Sequence, residues 1–297
     1  MSSSAWLKAA APLVFVAAGF LHQKCSSADG KNSDNRPDGA PRQTPLLQDW
    51  PTPQAVFVFS GQQHGYLEPC GCSPEFQKGG LARRFGFIKS LQQKKWPVIV
   101  ADLGGLLEDP ARQPAPGRYM DGPDHAKIKL ETALDALHQM KCEALNLAPE
   151  DLAAEGGFLG LMGLLGNLKN PTLPRALNAN FKIEQFFIEE GLVSPHVVRE
   201  AGGVKIAIIG MLGEKYKDRV SDQDLKEWQA PEIVLGATLN KIKQKSDLQV
   251  LMLYGTIEEA RKLAGKFPDL DVIVHASDSE EPNNHPEWVT LMRVKPA

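Results

Sequence analysis

Cys70 and Cys72 stand two positions apart in Glu68-Pro69-Cys70-Gly71-Cys72-Ser73-Pro74, shortly after His64. Thiolates at this spacing can both reach one soft ion, and His64 adds an imidazole, so a zinc or copper(I) site is one chemistry this segment suits. Redox chemistry is a second, because the nearby Arg83 and Arg84 would lower a thiol pKa and favour a reactive pair. A bridge from one of the two to Cys142 is a third, and plain loop packing a fourth. Cys142 itself follows an apolar helical stripe and reads as core. Downstream, Gly79-Gly80 opens a helix with Arg83-Arg84 in its first turns. Backbone N–H groups at such a start can bind an anion; the competing reading is a solvated basic face continued by Lys89, Lys94 and Lys95. His125, His138, His196 and His285 lie on helices or in loops without ligand spacing and read as surface or satisfied packing.

The elements that position these residues belong to a globular chain of 297 residues, 42% hydrophobic and 23% charged, which excludes wholesale disorder. Four cysteines exclude a disulfide scaffold. A net charge of -3 argues against nucleic acid as a partner, since phosphate neutralisation needs a basic face. The chain contains no Cys-x-x-Cys-His, the usual motif for covalent haem attachment.

Residues 1–28 read as a signal peptide or N-terminal anchor: Ala9 to Leu21 is uncharged and mostly apolar, shorter than the roughly 20 residues a spanning helix needs, and Ser26-Ser27-Ala28 supplies small residues for cleavage. Cys25 follows Lys24, unlike a lipid-attachment box. Residues 29–53 carry prolines at 37, 41, 45, 51 and 53 with no apolar period, the pattern of a disordered linker. The expected location is therefore exported, periplasmic or membrane-anchored on the oxidising side, with membrane contact only through the N-terminal segment.

From Gln54 onward, strands and helices alternate. Ala55 to Phe59, Val98 to Ala101, Glu143 to Leu147, Ala176 to Asn180, Leu248 to Tyr254 and Val272 to Val274 read as buried strands. Leu81 to Leu91, Asp124 to Met140, Phe158 to Leu165, Ile233 to Ile242 and Glu258 to Phe267 carry helical periodicity, and Val197 to Gly210 is a hairpin through Gly202-Gly203. This is an α/β layered domain, in which the loops after the strands carry the site.

Those loops contain His64-Gly65, Val100-Ala101-Asp102-Leu103-Gly104, Cys142 to Asp151, Asn178-Ala179-Asn180 and Asp271 to Ser277. In this order they resemble the calcineurin-like metallophosphoesterases, and within them the secreted 5′-nucleotidase branch. His64-Gly65 is similar to the end of the family's Asp-x-His-Gly, Val100-Ala101-Asp102-Leu103-Gly104 to the strand that delivers its Gly-Asp, Cys142 to Asp151 to the approach to its Gly-Asn-His-Glu, and Asn178-Ala179-Asn180 to its Ala-Asn strand end. Gly203 to Gly210 is similar to its Gly-Val-Lys strand. The resemblance implies a calcineurin-like sandwich of mixed β-sheets flanked by helices, in one domain over residues 54–297. The Cys-Gly-Cys loop with Gly79-Gly80-Leu81-Ala82-Arg83-Arg84 also resembles a block in exported phosphoesterase-like proteins, some joined to multihaem cytochrome segments, which implies a cytochrome-type redox partner.

The resemblance further implies two divalent metals held by Asp, Asn and His, bridging a hydroxide. Position by position, this chain has Gln62, Gly105, Pro149-Glu150 and Tyr254 where those ligands would stand, leaving His64 and His275. Neutral side chains cannot build an anionic cage for two cations. The expected protein is therefore an exported member of this fold with a degenerate dimetal site, binding a small anionic ligand or one divalent or soft metal ion (Zn, Cu or Mn) through His64, Cys70, Cys72 and His275. Two alternatives stay open. One is a 5′-nucleotidase-like hydrolase with a remodelled or single-metal centre, using His64, Asp102, Glu150 and His275. The other is a thiol-redox or electron-transfer protein acting through the Cys-Gly-Cys loop.

Overall fold

A computed structural model describes residues 13–17, 50–69, 79–108, 123–152, 157–167, 174–220 and 227–276. Cys25, Cys70, Cys72, most of the linker and the acidic tract 278–287 lie outside them. The first sheet runs β1 (Leu13–Ala17), β2 (Ala55–Ser60), β3 (Val98–Asp102), β4 (Cys142–Asn146), β5 (Arg175–Leu177) and β6 (Val193–Ser194). Its strands lie side by side in chain order and every neighbouring pair is parallel. Parallel neighbours need crossovers, and these are α1 (Leu81–Gln93), α2 (Pro123–Gln139), α3 (Pro149–Leu152), α4 (Gly157–Gly166) and α5 (Gln185–Glu189).

The second sheet has the order β10 (Val272–His275), β9 (Leu248–Tyr254), β8 (Val204–Leu212), β7 (His196–Ala201). β7 and β8 form the expected antiparallel hairpin, closed by Gly202 and Gly203 at φ +58° and +78°. Two successive positive φ values define the primed turn that matches strand twist. A 3₁₀ turn (Glu214–Arg219) follows β8, and α6 (Pro231–Ile242) and α7 (Ile257–Lys266) lead to β9 and β10.

Strand parity explains how the sheets stack. Along β8, Ile206 and Ile208 join the core shared with the first sheet, while Ala207, Ile209 and Met211 face a second cluster with Leu235, Leu239 and Leu263 of α6 and α7. Along β9, Val250, Met252 and Tyr254 point to the shared core, and Leu251 and Leu253 point away from it. Period-2 alternation thus makes a helix–sheet–sheet–helix arrangement. It also fixes Tyr254, the last residue of β9, on the face between the sheets.

One strand ends earlier than the sequence expectation, and β1 falls within the segment read as a leader. The apolar run expected as a leader supplies β1, whose backbone pairs Leu13 to Ala17 with Ala55 to Phe59; an uncharged stretch with Val14, Phe15 and Val16 suits strand pairing as well as a leader. The strand expected to reach Asn180 stops at Leu177. There the Asn178 Oδ1 accepts from the backbone N–H of Asn180 and Phe181, an Asx turn that takes the chain out of the sheet. Asn180 then bridges to the other sheet: its Nδ2 donates to Leu212 O at 2.8 Å, and its Oδ1 accepts from Leu212 N at 3.0 Å.

Candidate functional site at the strand ends

The loops after β2 and β3 continue as a paired ribbon beyond the sheet. Leu103 N donates to Ser60 O at 2.7 Å, Gln62 N to Gly104 O at 2.7 Å, His64 N to Gly105 O at 2.9 Å and Gly65 N to Leu106 O at 2.8 Å. The ribbon carries Gln62 and His64 at φ +51° and +50°, a left-handed conformation uncommon outside glycine. Gly104 has φ +87°, and a Cβ there would lie 2.5 Å from Asn146 O and 3.0 Å from Asp151 Oδ2. Only glycine fits this approach.

Two buried carboxylates hold the ribbon in place. Asp102, fully buried, accepts from Ser60 Oγ at 2.5 Å, Arg84 Nη1 at 2.9 Å and Gly104 N at 2.9 Å. Asp151, also fully buried, accepts from Gly105 N at 2.9 Å, Leu106 N at 2.6 Å and Leu107 N at 3.3 Å. Burial, and next the charge of Glu150, push the Asp151 carboxyl up to about 8, against the pull of its backbone donors.

Four strand ends converge beside Asp151. A Cβ on Gly105 would lie 3.1 Å from Tyr254 Oη and 3.2 Å from Gln62 Cα. Tyr254 lies beside Glu150, and its phenol is held well above its ordinary pKa, first by burial and then by the Glu150 charge, so it stays protonated. Glu150 is 3% exposed. From the 3₁₀ turn, Arg219 Nη1 reaches within 3.8 Å of Glu150 Oε1, and its guanidinium lies 4.9 Å from the Tyr216 ring centroid. Tyr216 in turn packs edge-on against Tyr254 at 5.2 Å.

Glu259 ties this arrangement to α7. Its carboxylate accepts from Thr256 N at 2.7 Å, Glu214 N at 2.6 Å and Lys215 N at 3.4 Å, so one side chain caps the helix and anchors the start of the turn that carries Tyr216 and Arg219. Glu259→Ala is expected to lower the thermal midpoint by about 4 °C, on the order of one lost cap and one freed loop; an unchanged melting curve would show that the turn is held by its ring contacts alone.

The structure separates the residues nominated from sequence. Glu150 lies at the convergence, and His64 stands on the ribbon next to Gly105 through its backbone bond. Asp102 is directed into the sheet ends, bonded to Ser60 and Arg84, which is a holding arrangement. The Arg84 side chain is 10% exposed and engaged by Asp102, Ser60 and Gln63. Gly80 caps α1, and Arg83 follows on the first turn. His275 ends β10 with Nδ1 2.7 Å from Ala276 O. Among the described residues, no three His, Cys, Asp or Glu side chains are grouped to hold a metal ion. Cys142 is a free thiol buried in β4, its Sγ on Ala144 O at 3.2 Å, with burial raising its pKa. Sequence reasoning missed Tyr216, Arg219 and Asp151. Three backbone donors reaching one Asp leave no sequence pattern, and Arg219 sits in a turn without periodicity.

No family model and no curated protein sequence matches the chain. Solved structures do. A 5′-nucleotidase precursor from Thermus thermophilus superposes with a TM-score of 0.59 at 19% identity, over 74% of this chain and 41% of that one. The NAD nucleotidase NadN of Haemophilus influenzae gives 0.58 at 19% identity, over 75% and 38%. The sulfate thiohydrolase SoxB of Thermus thermophilus gives 0.52 at 15% identity, over 80% and 39%. The chain thus spans about two fifths of the length of these proteins. At these identities the likeness is one of fold, and the fold is that of the calcineurin-like metallophosphoesterases.

Proposed function

We propose that this chain is an exported protein of the metallophosphoesterase fold whose dimetal centre has been lost, and that it binds a small ligand or a single metal ion instead of hydrolysing phosphoesters. The observation that carries this reading is the Tyr254 hydroxyl, 3.1 Å from where a side chain at Gly105 would begin. A carboxylate at that position has little room, because the tyrosine hydroxyl fills the space. The donors at the convergence are Gln62, Glu150 and Tyr254, with His64 beside them on the ribbon. One carboxylate with a neutral amide and a protonated phenol does not fit a pair of divalent cations, which need several anionic oxygens between them. The fold's two-metal hydrolysis is accordingly not assigned to these residues.

Purified protein is expected to leave nucleoside monophosphates and nitrophenyl phosphate intact with added Mn²⁺. Hydrolysis that His64→Ala abolishes would replace this reading with that of a remodelled hydrolase. For the bound species, Leu81 N donates to Leu67 O at 2.9 Å and Pro69 packs against Gly80, so the chain enters the Cys-Gly-Cys segment at the start of α1. Elemental analysis with a free-thiol count then reads the choice between a zinc or copper site at Cys70 and Cys72 and a redox pair awaiting a cytochrome-type partner.

A further inference from the structure

We propose that Arg219 is the resident counter-cation of the strand-end centre, its guanidinium supplying beside Glu150 the positive charge that metal ions supply in proteins of this fold. The inference rests on the reading that the dimetal centre is lost, and it adds what took its place. Three carboxylates, Asp102, Glu150 and Asp151, lie 0–3% exposed at neighbouring strand ends. Buried charges must be compensated or neutralised. Asp102 is met by Arg84 at 2.9 Å, and Asp151 by three backbone N–H groups. Glu150 meets the neutral phenol of Tyr254 and the cation of Arg219.

The approach of Arg219 is built, not incidental. The 3₁₀ turn that ends in Arg219 starts on the Glu259 carboxylate, and its Tyr216 is wedged between the guanidinium and Tyr254. A guanidinium keeps its charge at every relevant pH, stacks flat on an aromatic face and is weakly hydrated, so it tolerates the edge of a buried site better than an ammonium does. A divalent ion at Glu150 would have to displace it against charge repulsion. At Glu150 a metal ion therefore competes with a cation carried on the chain itself.

The test compares thermal midpoints of the full chain, Arg219→Ala, Glu150→Gln and the double variant, each with and without millimolar MnCl₂. The wild type is expected to be indifferent to Mn²⁺. Arg219→Ala should melt roughly 2–3 °C lower, the arginine being 40% exposed and its contact with Glu150 3.8 Å long, and should regain most of that on adding Mn²⁺. The double variant should melt above Arg219→Ala without any metal, because Glu150→Gln removes the charge that needed a partner. If Arg219→Ala fails to fold, a folded double variant supports the proposal equally, and failure of both overturns it. Equal midpoints for Arg219→Ala and the double variant would also overturn it, as would a wild type stabilised by Mn²⁺. The underlying reading fails separately: Mn²⁺-dependent phosphoester hydrolysis by the wild type removes it, whereas an inactive wild type with a metal-indifferent Arg219→Ala removes only the role of Arg219.

Discussion

Replacing Arg84 with alanine is expected to lower the free energy of unfolding by about 3–5 kcal/mol, the range for stripping one partner from a buried ion pair. Asp102 is fully buried and the Arg84 side chain is 10% exposed, so solvent screens little of the interaction. The loss has three parts. Asp102 keeps Ser60 Oγ and Gly104 N as donors but loses the guanidinium that balances its charge. Ser60 Oγ loses the donor at 3.2 Å, and Gln63 Oε1 the one at 3.4 Å. Lysine at this position should recover only part of the stability, because a point charge cannot span Asp102, Ser60 and Gln63 together. Replacing both charged residues, as in Arg84→Met with Asp102→Asn, should be milder than Arg84→Ala alone. Urea unfolding measures all three. An Arg84→Ala midpoint indistinguishable from wild type would mean that Asp102 is compensated by something other than Arg84.

The second large effect is one of pH. The Asp151 carboxyl is raised in the fold from its ordinary 3.8 to about 8, chiefly by burial. Between those values the unfolded chain has released the proton while the native chain retains it. Raising the pH therefore favours the unfolded state, with a slope of up to about 1.4 kcal/mol per pH unit. The contribution of Asp151 to stability is fully present below about pH 4, declines through the window and levels off above about pH 8. Asp151→Asn cannot titrate, so the wild-type-minus-variant difference should fall steadily from about pH 5 and reverse sign before about pH 8, where the variant becomes the more stable. At about pH 5 the variant should be weaker by roughly 1–3 kcal/mol, since an amide NH2 cannot accept from a backbone N–H where the second carboxyl oxygen does. Parallel stability curves across this range would show that Asp151 is ionised throughout the window in the folded protein.

Much of the architecture was legible because burial writes periodicity into a chain. Val98 to Ala101, Leu248 to Tyr254 and the hairpin around Gly202-Gly203 carry runs and turn residues that only a layered α/β fold accommodates, and each lies in its expected element. Leu13 to Ala17 and Asn178 to Asn180 were less legible, for opposite reasons. An apolar run satisfies several structures equally, while an asparagine's own hydrogen bonds can end a strand that its neighbours' hydrophobicity would continue.

At the site, residue types alone carry the proposal that the dimetal chemistry is lost. Gln62, Gly105, Pro149 and Tyr254 stand in line where ligands of the resembled family would stand, and their functional groups, or lack of them, are readable without coordinates. What surrounds these positions was decided only by tertiary structure. The Tyr254 hydroxyl reaches Gly105 because strand parity turns it toward the shared core, and Arg219 reaches Glu150 because Glu259 fixes the start of its turn from another element. Side-chain identity is local, whereas compensation of a buried charge depends on distance across elements more than sixty residues apart, and that distance exists only once the two sheets have packed.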